Sequence, residues 1–453
     1  MESRDRPSSS RRPSKRVRIT ATLPHIPDEI ILEILCLLPV KSLMRFKCVS
    51  KSWREMISDP DFEKKQLAVA ARDSGEVYNS RLIMHYPSMK LKSCPLSCLF
   101  YEPVGHSVNH EYPGSELGAM NEIIGSYNGL VCFCIRDTEN DIIFVWNPST
   151  REFRRLPPIS FMQCFHLVAY GFGYDSIADD YKVTRVGCYC IGRYYEYQVR
   201  VFSLRGNVWR KIENFPCYLF TDEPGIHVNG SINFGGVGDS ENYYWSVVGL
   251  DLASESYRMV PLPDCADPNV KPMIMALGGR FCTIFDNDEA VDVWVMEQYG
   301  VKKSWNKLVT VPYFPDPMTV DCTKPVFFLR DGAILMEFYG LLVLYNIDRD
   351  ESTIPTIYGT RHCHEVEVYL ETIVSPNAYY RLQAGHQNGG IGRQDKELYI
   401  KEVLKDRPKV YNTYTKRLKQ EKELQNKKGY NNIALNKSPT NQRNEPESKD
   451  HHL

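Results

Sequence analysis

The chain has 453 residues, with 55 basic and 56 acidic side chains and 14 cysteines. That length is enough for two or three folded units, and the near balance of charge argues against a large nucleic-acid-binding surface. No apolar run reaches the roughly eighteen residues of a membrane span, and the opening stretch MESRDRPSSSRRPSKRVRIT lacks the apolar core of a secretory signal.

Residues 1–22 are rich in Ser, Pro and Arg and read as a disordered basic terminus, within which RRPSKRVR has the composition of a nuclear import signal. Residues 23–65 are different. Pro27 suits the first position of a helix, and Asp28 and Glu29 place negative charge in its first turn. Ile30, Ile31, Ile34, Leu35 and Leu38 recur at helical spacing, and Pro39 stops the run. A second helical run follows through Leu43, Phe46, Val49 and Trp53, with Lys41, Arg45, Lys47 and Lys51 giving it a basic side. The segment EKKQLAVAARD predicts a last helix. A unit of about forty residues cannot bury this many large apolar side chains by itself, so a partner is expected to cover some of them.

The core PVKSLMRFKCVSKSW, Pro39 to Trp53, closely resembles the plant F-box. The resemblance implies docking on a Skp-type adaptor and, through it, a cullin scaffold. It implies Pro27, Ile30, Leu38, Pro39, Leu43, Val49 and Trp53 as the adaptor contact. Two positions depart from the family pattern. Ile26-Pro27 stands where Leu-Pro is usual, and Leu37 stands where a basic residue is common.

From about residue 76 strand signals begin, in RLIMHYP and then LSCLFYEP, followed by a loop-like stretch from Val104 to Met120. From Ile123 a unit of about fifty residues repeats. The five copies open with EIIGSYNGLVCFCI, LVAYGFGYDSIADDYKVTRV, IHVNGSINFGG, IMALGGRFCTIF and PVFFLRDGAILMEF, and each closes with a second strand pair. Asn128-Gly129, Asn229-Gly230, Gly278-Gly279 and Asp331-Gly332 mark the opening turn in four of them. Four short antiparallel strands form a small sheet that cannot hide both faces alone; stacking such sheets in a ring does so. A sixth sheet is expected to combine the strands at 80–101 with HEVEVYLETIV near 364–376, clasping the ring shut. Trp209, Tyr257 and Trp305 are expected to pack between sheets. YNGLVCF, VWNPSTREFRRLPP, YGFGYDSIADDYKVTRV and VWVMEQYGVKKSWNKL are similar to the plant F-box-associated, kelch-like domain. YKVTRV and VWVMEQYGVKKSW also resemble the S-locus F-box branch, which implies, as an alternative, a pollen factor recognising ribonucleases.

The fold class expected is therefore α+β multidomain: a disordered terminus at 1–22, a helical F-box at 23–65, an all-β propeller-like domain of about six blades at 76–376, and a charged, largely disordered tail at 377–453. The family implies a non-catalytic substrate-recognition subunit of an SCF-type ubiquitin ligase, or alternatively a ligase-independent binding module. Motifs for catalysis, cofactors or metals are not evident: HExxH, P-loop and GxSxG patterns are missing, and the cysteines are scattered without a CxxC pair. Cys132 with Cys134, and Cys188 with Cys190, fall on one side of a strand each and read as small apolar fillers. His362 and His364 supply too few ligands for a structural zinc centre. Unpaired thiols fit a reducing compartment, so the cytoplasm, the nucleus or both are the expected location. The target is not legible, although Arg136, Arg151, Arg154, Arg155, Arg185 and Arg193 are candidates for a cationic patch.

Overall fold

A computed structural model describes residues 26–378 apart from 73–76, 87–89, 103, 113–119, 137–140, 160–164, 192–193, 220, 239–243, 287–289, 314–322, 330–331, 339, 359–362 and 364. The basic terminus, the tail, Arg193, Asp331, His362 and His364 lie outside the described residues.

Four helices come first: α1 (Asp28–Cys36), α2 (Val40–Phe46), α3 (Lys51–Ile57) and α4 (Pro60–Arg72). Pro27 does not open α1. It is the N-cap, extended at φ −57° and ψ 143°, and its carbonyl accepts from the amides of Ile30 and Ile31. Pro39 does the same for α2, at φ −56° and ψ 145°. The second helical run is two helices rather than one. Ser50 is extended and its hydroxyl accepts from the Trp53 amide at 3.1 Å, which ends one helix and caps the next. Asp59 caps α4 by accepting from the Asp61 amide at 2.8 Å.

The rest of the described chain forms a six-bladed propeller. The first blade is Met120–Tyr127, Leu130–Arg136, Ile142–Trp146 and Phe153–Arg155; the second is Phe165–Asp175, Asp180–Ile191, Tyr194–Ser203 and Val208–Lys211. The third is Ile226–Val228, Ser231–Val237, Trp245–Asp251 and Tyr257–Val260, and the fourth Met273–Leu277, Arg280–Asp286, Ala290–Met296 and Trp305–Pro312. The fifth is Thr323–Leu329, Ala333–Phe338, Leu341–Asn346 and Glu351–Thr353. The sixth takes its innermost strand, Glu365–Leu370, from the far end of the chain and pairs it with Ser80–Tyr86, Lys90–Pro95 and Val108–His110. The clasp expected from the sequence is thus present, in the antiparallel register Ile83 opposite Glu367. The innermost strands neighbour one another in blade order, and Glu365–Leu370 closes the ring beside Met120–Tyr127.

Two details of the sixth blade differ from the sequence reading. The aromatic run in LSCLFYEP is a short helix, Ser97–Tyr101, that buries Cys98 and Leu99 against the fifth and sixth blades; its strand-like composition yields to that packing. The loop-like stretch contributes the outer strand Val108–His110.

The opening turns carry the backbone their residues suit. Asn128 and Gly129 sit at φ 52° and 84°, and Asn229 and Gly230 at 50° and 75°, as tight hairpin turns require. At Gly129 there is a second reason: a Cβ would stand 2.6 Å from the Leu370 carbonyl, against which this turn lies. Between blades the expected aromatics recur as one device. Trp209 Nε1 donates to the Pro157 carbonyl at 3.0 Å, Tyr257 Oη to Glu213 at 2.7 Å and Trp305 Nε1 to Pro261 at 2.9 Å. In each case a closing strand is tied to the segment that leaves the preceding blade.

Candidate functional site

The helical module has two apolar faces. The inner face of α1 presents Leu35 and Cys36, with Ile31 and Leu32 beside them, to a core completed by Val40, Leu43, Ile57 and Phe62. The outer face carries Ile30, Ile34 and Leu37, spaced four and three apart and therefore on one stripe, and Ile26 is exposed just ahead of the helix. Ile30, Ile34, Leu37 and Ile26 are 47, 51, 72 and 54% exposed, and Val49, at the corner between α2 and α3, is 65% exposed. Contiguous exposed apolar surface of this kind marks a protein-binding site. Lys41, Arg45 and Lys51 are exposed on the same module.

The seven residues implied as the adaptor contact divide on this evidence of burial. Pro27, Ile30, Pro39 and Val49 are exposed, while Leu38 and Trp53 are half-buried, with the Trp53 ring edge-on to Phe46 at 5.2 Å. Leu43 is 0% exposed and sits within the module's own core. In this fold it presents no side-chain surface of its own, while Ile26, Ile34 and Leu37 are exposed. The helical spacing of Ile30, Ile34 and Leu37 was readable, but spacing alone does not tell the outer stripe from the inner one.

Helix α4 is more than an extension of the module; it joins the module to the propeller. Ile373, beyond the clasp strand, inserts into the helical core, and Leu67 of α4 packs against the first and second blades. The Ile373 amide donates to Gln66 Oε1 at 3.2 Å and the Ser375 amide to Glu63 Oε2 at 3.4 Å. Lys64 pairs with Asp179 of the second blade at 2.7 Å. From the other side, fully buried Asn147 donates through Nδ2 to the carbonyls of Thr372 at 2.9 Å and Val374 at 2.8 Å. Residues 372–376 are thereby held between α4 and the first blade.

A second candidate site is the central channel, a cavity of about 1160 Å³ lined by the innermost strands. Its wall includes Glu122, Asp222, Glu223, Glu337, Glu365 and Glu367 against Arg136, Lys271 and Lys324. Arg136 pairs with Glu122 at 2.6 Å and Asp141 at 3.4 Å, and Lys271 pairs with Glu223. Lys324 Nζ donates to the Val366 carbonyl at 2.9 Å and stands 3.6 Å from Glu337. Burial opposes the charge on Lys324, but Glu337, Glu367 and Glu365 outweigh it and raise its pKa. Burial raises the carboxyls of Glu122, Glu337 and Glu367, and pushes Glu365 up to about 7 against the pull of Lys324. Burial also takes His227, on the channel wall, down to about 4, so it is neutral at physiological pH.

Among the described residues the arginines do not gather into a patch. Arg154 is buried and donates to the carbonyl of Leu204 and to Asn207, and Arg185 is buried beside the Tyr170 ring. Arg136 is spent on its two carboxylates, and Arg151 and Arg155 remain at the surface. Cys132 and Cys134 are buried between the first and second blades, and burial holds both thiols protonated. Among the described residues no group of three or more His, Cys, Asp or Glu is placed to hold a metal ion.

Comparison with known proteins agrees with this architecture. The sequence pattern described as the F-box domain matches residues 23–65, and that described as the F-box associated beta propeller domain matches residues 66–329. The structure carries the propeller beyond that match, to Leu370. The chain is 30% identical to an F-box/kelch-repeat protein of Arabidopsis thaliana over 370 residues, covering 78% of this chain and 97% of the relative. It is 28% identical to the Arabidopsis thaliana F-box protein CPR1 over 383 residues, covering 77% and 88%.

Proposed function

Because the chain belongs to the F-box proteins that carry an F-box associated β-propeller domain, we propose that it is the substrate-recognition subunit of an SCF-type cullin ubiquitin ligase. The helical module grips a Skp-type adaptor and the propeller binds a target protein. The chain itself is not catalytic. It raises the effective concentration of target lysines beside a ubiquitin-loaded enzyme.

The observation that carries this reading is the exposed apolar stripe Ile30, Ile34 and Leu37, with Ile26 just ahead of it, on a helix whose opposite face is used by its own core. The exposed Lys41, Arg45 and Lys51 favour a partner of acidic character. The joint at α4 adds a mechanical argument. A target can be presented at a set position only if the gripping module does not swivel on the propeller, and Ile373, Gln66 and Glu63 tie the two together.

The test is co-purification of the complete chain with a plant Skp-type adaptor, wild type beside an Ile30→Ser/Ile34→Ser/Leu37→Ser variant. Capture by the wild type and its loss in a variant with unchanged circular dichroism are expected. Equal capture by both, or none by the wild type, overturns the assignment.

A further inference from the structure

The central channel is built unlike a passive pore. Its volume admits several side chains, and its wall carries more carboxylates than cations. The cations are already engaged: Arg136 faces Glu122 and Asp141, and Lys324 donates to the Val366 carbonyl and stands 3.6 Å from Glu337. Among the described residues Glu365 and Glu367 receive hydrogen bonds from neutral donors, the Ile123 amide at 3.0 Å and the Ser126 hydroxyl at 3.1 Å. Two deeply buried oxygens on the wall are short of donors among the described residues: Oε2 of Glu337, a residue 6% exposed, has only the Lys324 ammonium at 3.6 Å, and Oγ1 of fully buried Thr323 has no hydrogen bond. Burying such oxygens unsatisfied is unfavourable, and a donor-rich cation reaching them removes the deficit.

We infer that the channel binds a protonated amine or guanidinium, the tip of a lysine or arginine of the target protein, against Glu337, Glu365 and Glu367. This rests on the propeller being the target-binding part of the chain. A donor-only cation fits the site because the carboxylates of Glu337, Glu365 and Glu367 accept and the Thr323 hydroxyl can accept beside them, and an ammonium or guanidinium offers three to five donors. The same chemistry excludes acidic and phosphorylated segments, which the excess of carboxylate repels. The ionisation of Glu365 sets a pH limit on binding. The groups facing it are Glu122, Glu367 and Lys324, with His85 opposite on the paired strand. As pH falls through about 7 Glu365 takes up a proton, and affinity for the cation falls with it.

The experiment is calorimetric titration of the complete chain with a capped trilysine peptide, with spermidine and with capped triglutamate, at low salt. Trilysine is expected to bind, more weakly at pH 6 than at pH 8, and Glu365→Gln/Glu367→Gln to weaken it at least tenfold. Lys324→Gln removes the resident cation and is expected to tighten binding, which gives a readout of opposite sign should the double variant fold poorly. No binding of trilysine, equal binding by the double variant, or equal binding of triglutamate overturns the proposal. Binding of spermidine without trilysine reassigns the channel to a small amine and also overturns it. Adaptor capture is read separately, so a failed channel with intact capture leaves the ligase reading standing.

Discussion

Asn147 offers a sharp test of the joint between module and propeller. It lies at the turn of the NPST hairpin, where Asn is expected for turn chemistry alone. Its Oδ1 does accept from the amides of Ser149 at 2.8 Å and Thr150 at 3.2 Å. Its Nδ2, however, donates to Thr372 and Val374, whose segment touches α4 on its other side. Asn147→Ala leaves two buried carbonyls without donors at about 1–3 kcal/mol each and also loses the turn, so about 4 kcal/mol is expected. For a domain of this size that lowers Tm by roughly 5 °C. Asn147→Asp is expected to be at least as damaging, since a carboxylate then faces both carbonyls. Hydrogen exchange gives the mechanism: the amides of Ile373 and Ser375 should lose protection while those of the fourth blade keep theirs. Unchanged Tm and unchanged protection at Ile373 would refute the argument that this side chain fastens the segment.

Other predictions separate core from contact. Leu43→Ala should destabilise the helical module by about 2–5 kcal/mol through the cavity it leaves, whereas Leu37→Ser should change stability by less than about 0.5 kcal/mol; denaturant melts of the two variants check both. Trp305→Phe keeps most of the packing but deprives the Pro261 carbonyl of its donor, at about 1 kcal/mol by thermal denaturation. In the second blade, Lys182 pairs with buried Asp175 at 2.8 Å. Burial alone would raise the Asp175 carboxyl, but the hydrogen bond from Lys182 and the amides of Ala178 and Ile177 bring it below its ordinary value. Its stabilisation is therefore complete above the unfolded value of about 3.9 and lost as pH falls through the lower folded value. Lys182→Met should cost about 3–5 kcal/mol at neutral pH and move the acid transition to higher pH, measured by fluorescence between about pH 6 and pH 2.

The blades were legible because each carries its own local punctuation. Asn128-Gly129 and Asn229-Gly230 fix hairpin turns through positive φ, and the alternating apolar strands between them need no distant information. The clasp was also legible, since Glu365–Leu370 is strand-like and the ring lacked one strand. What depends on distant partners was not. Leu43 and Ile34 have the same helical spacing and similar hydrophobicity, and only the tertiary packing around Leu43, including Ile373 from the other end of the propeller, puts one inside and leaves the other out. Arg154 and Arg185 look like surface charges in sequence, but Arg154 is buried against the Leu204 carbonyl of the next blade and Arg185 beside the Tyr170 ring on the paired strand. The channel carboxylates come from the first, fifth and sixth blades and from the link between the second and third, so no stretch of sequence displays them together.

The most direct measurement of the central claim is hydroxyl-radical footprinting of the complete chain with and without a plant Skp-type adaptor. The account predicts that labelling of Ile30, Ile34 and Leu37 falls on mixing, with Val49, while Leu43 is unlabelled in both states. Labelling of that stripe left unchanged in a complex that demonstrably forms would contradict it.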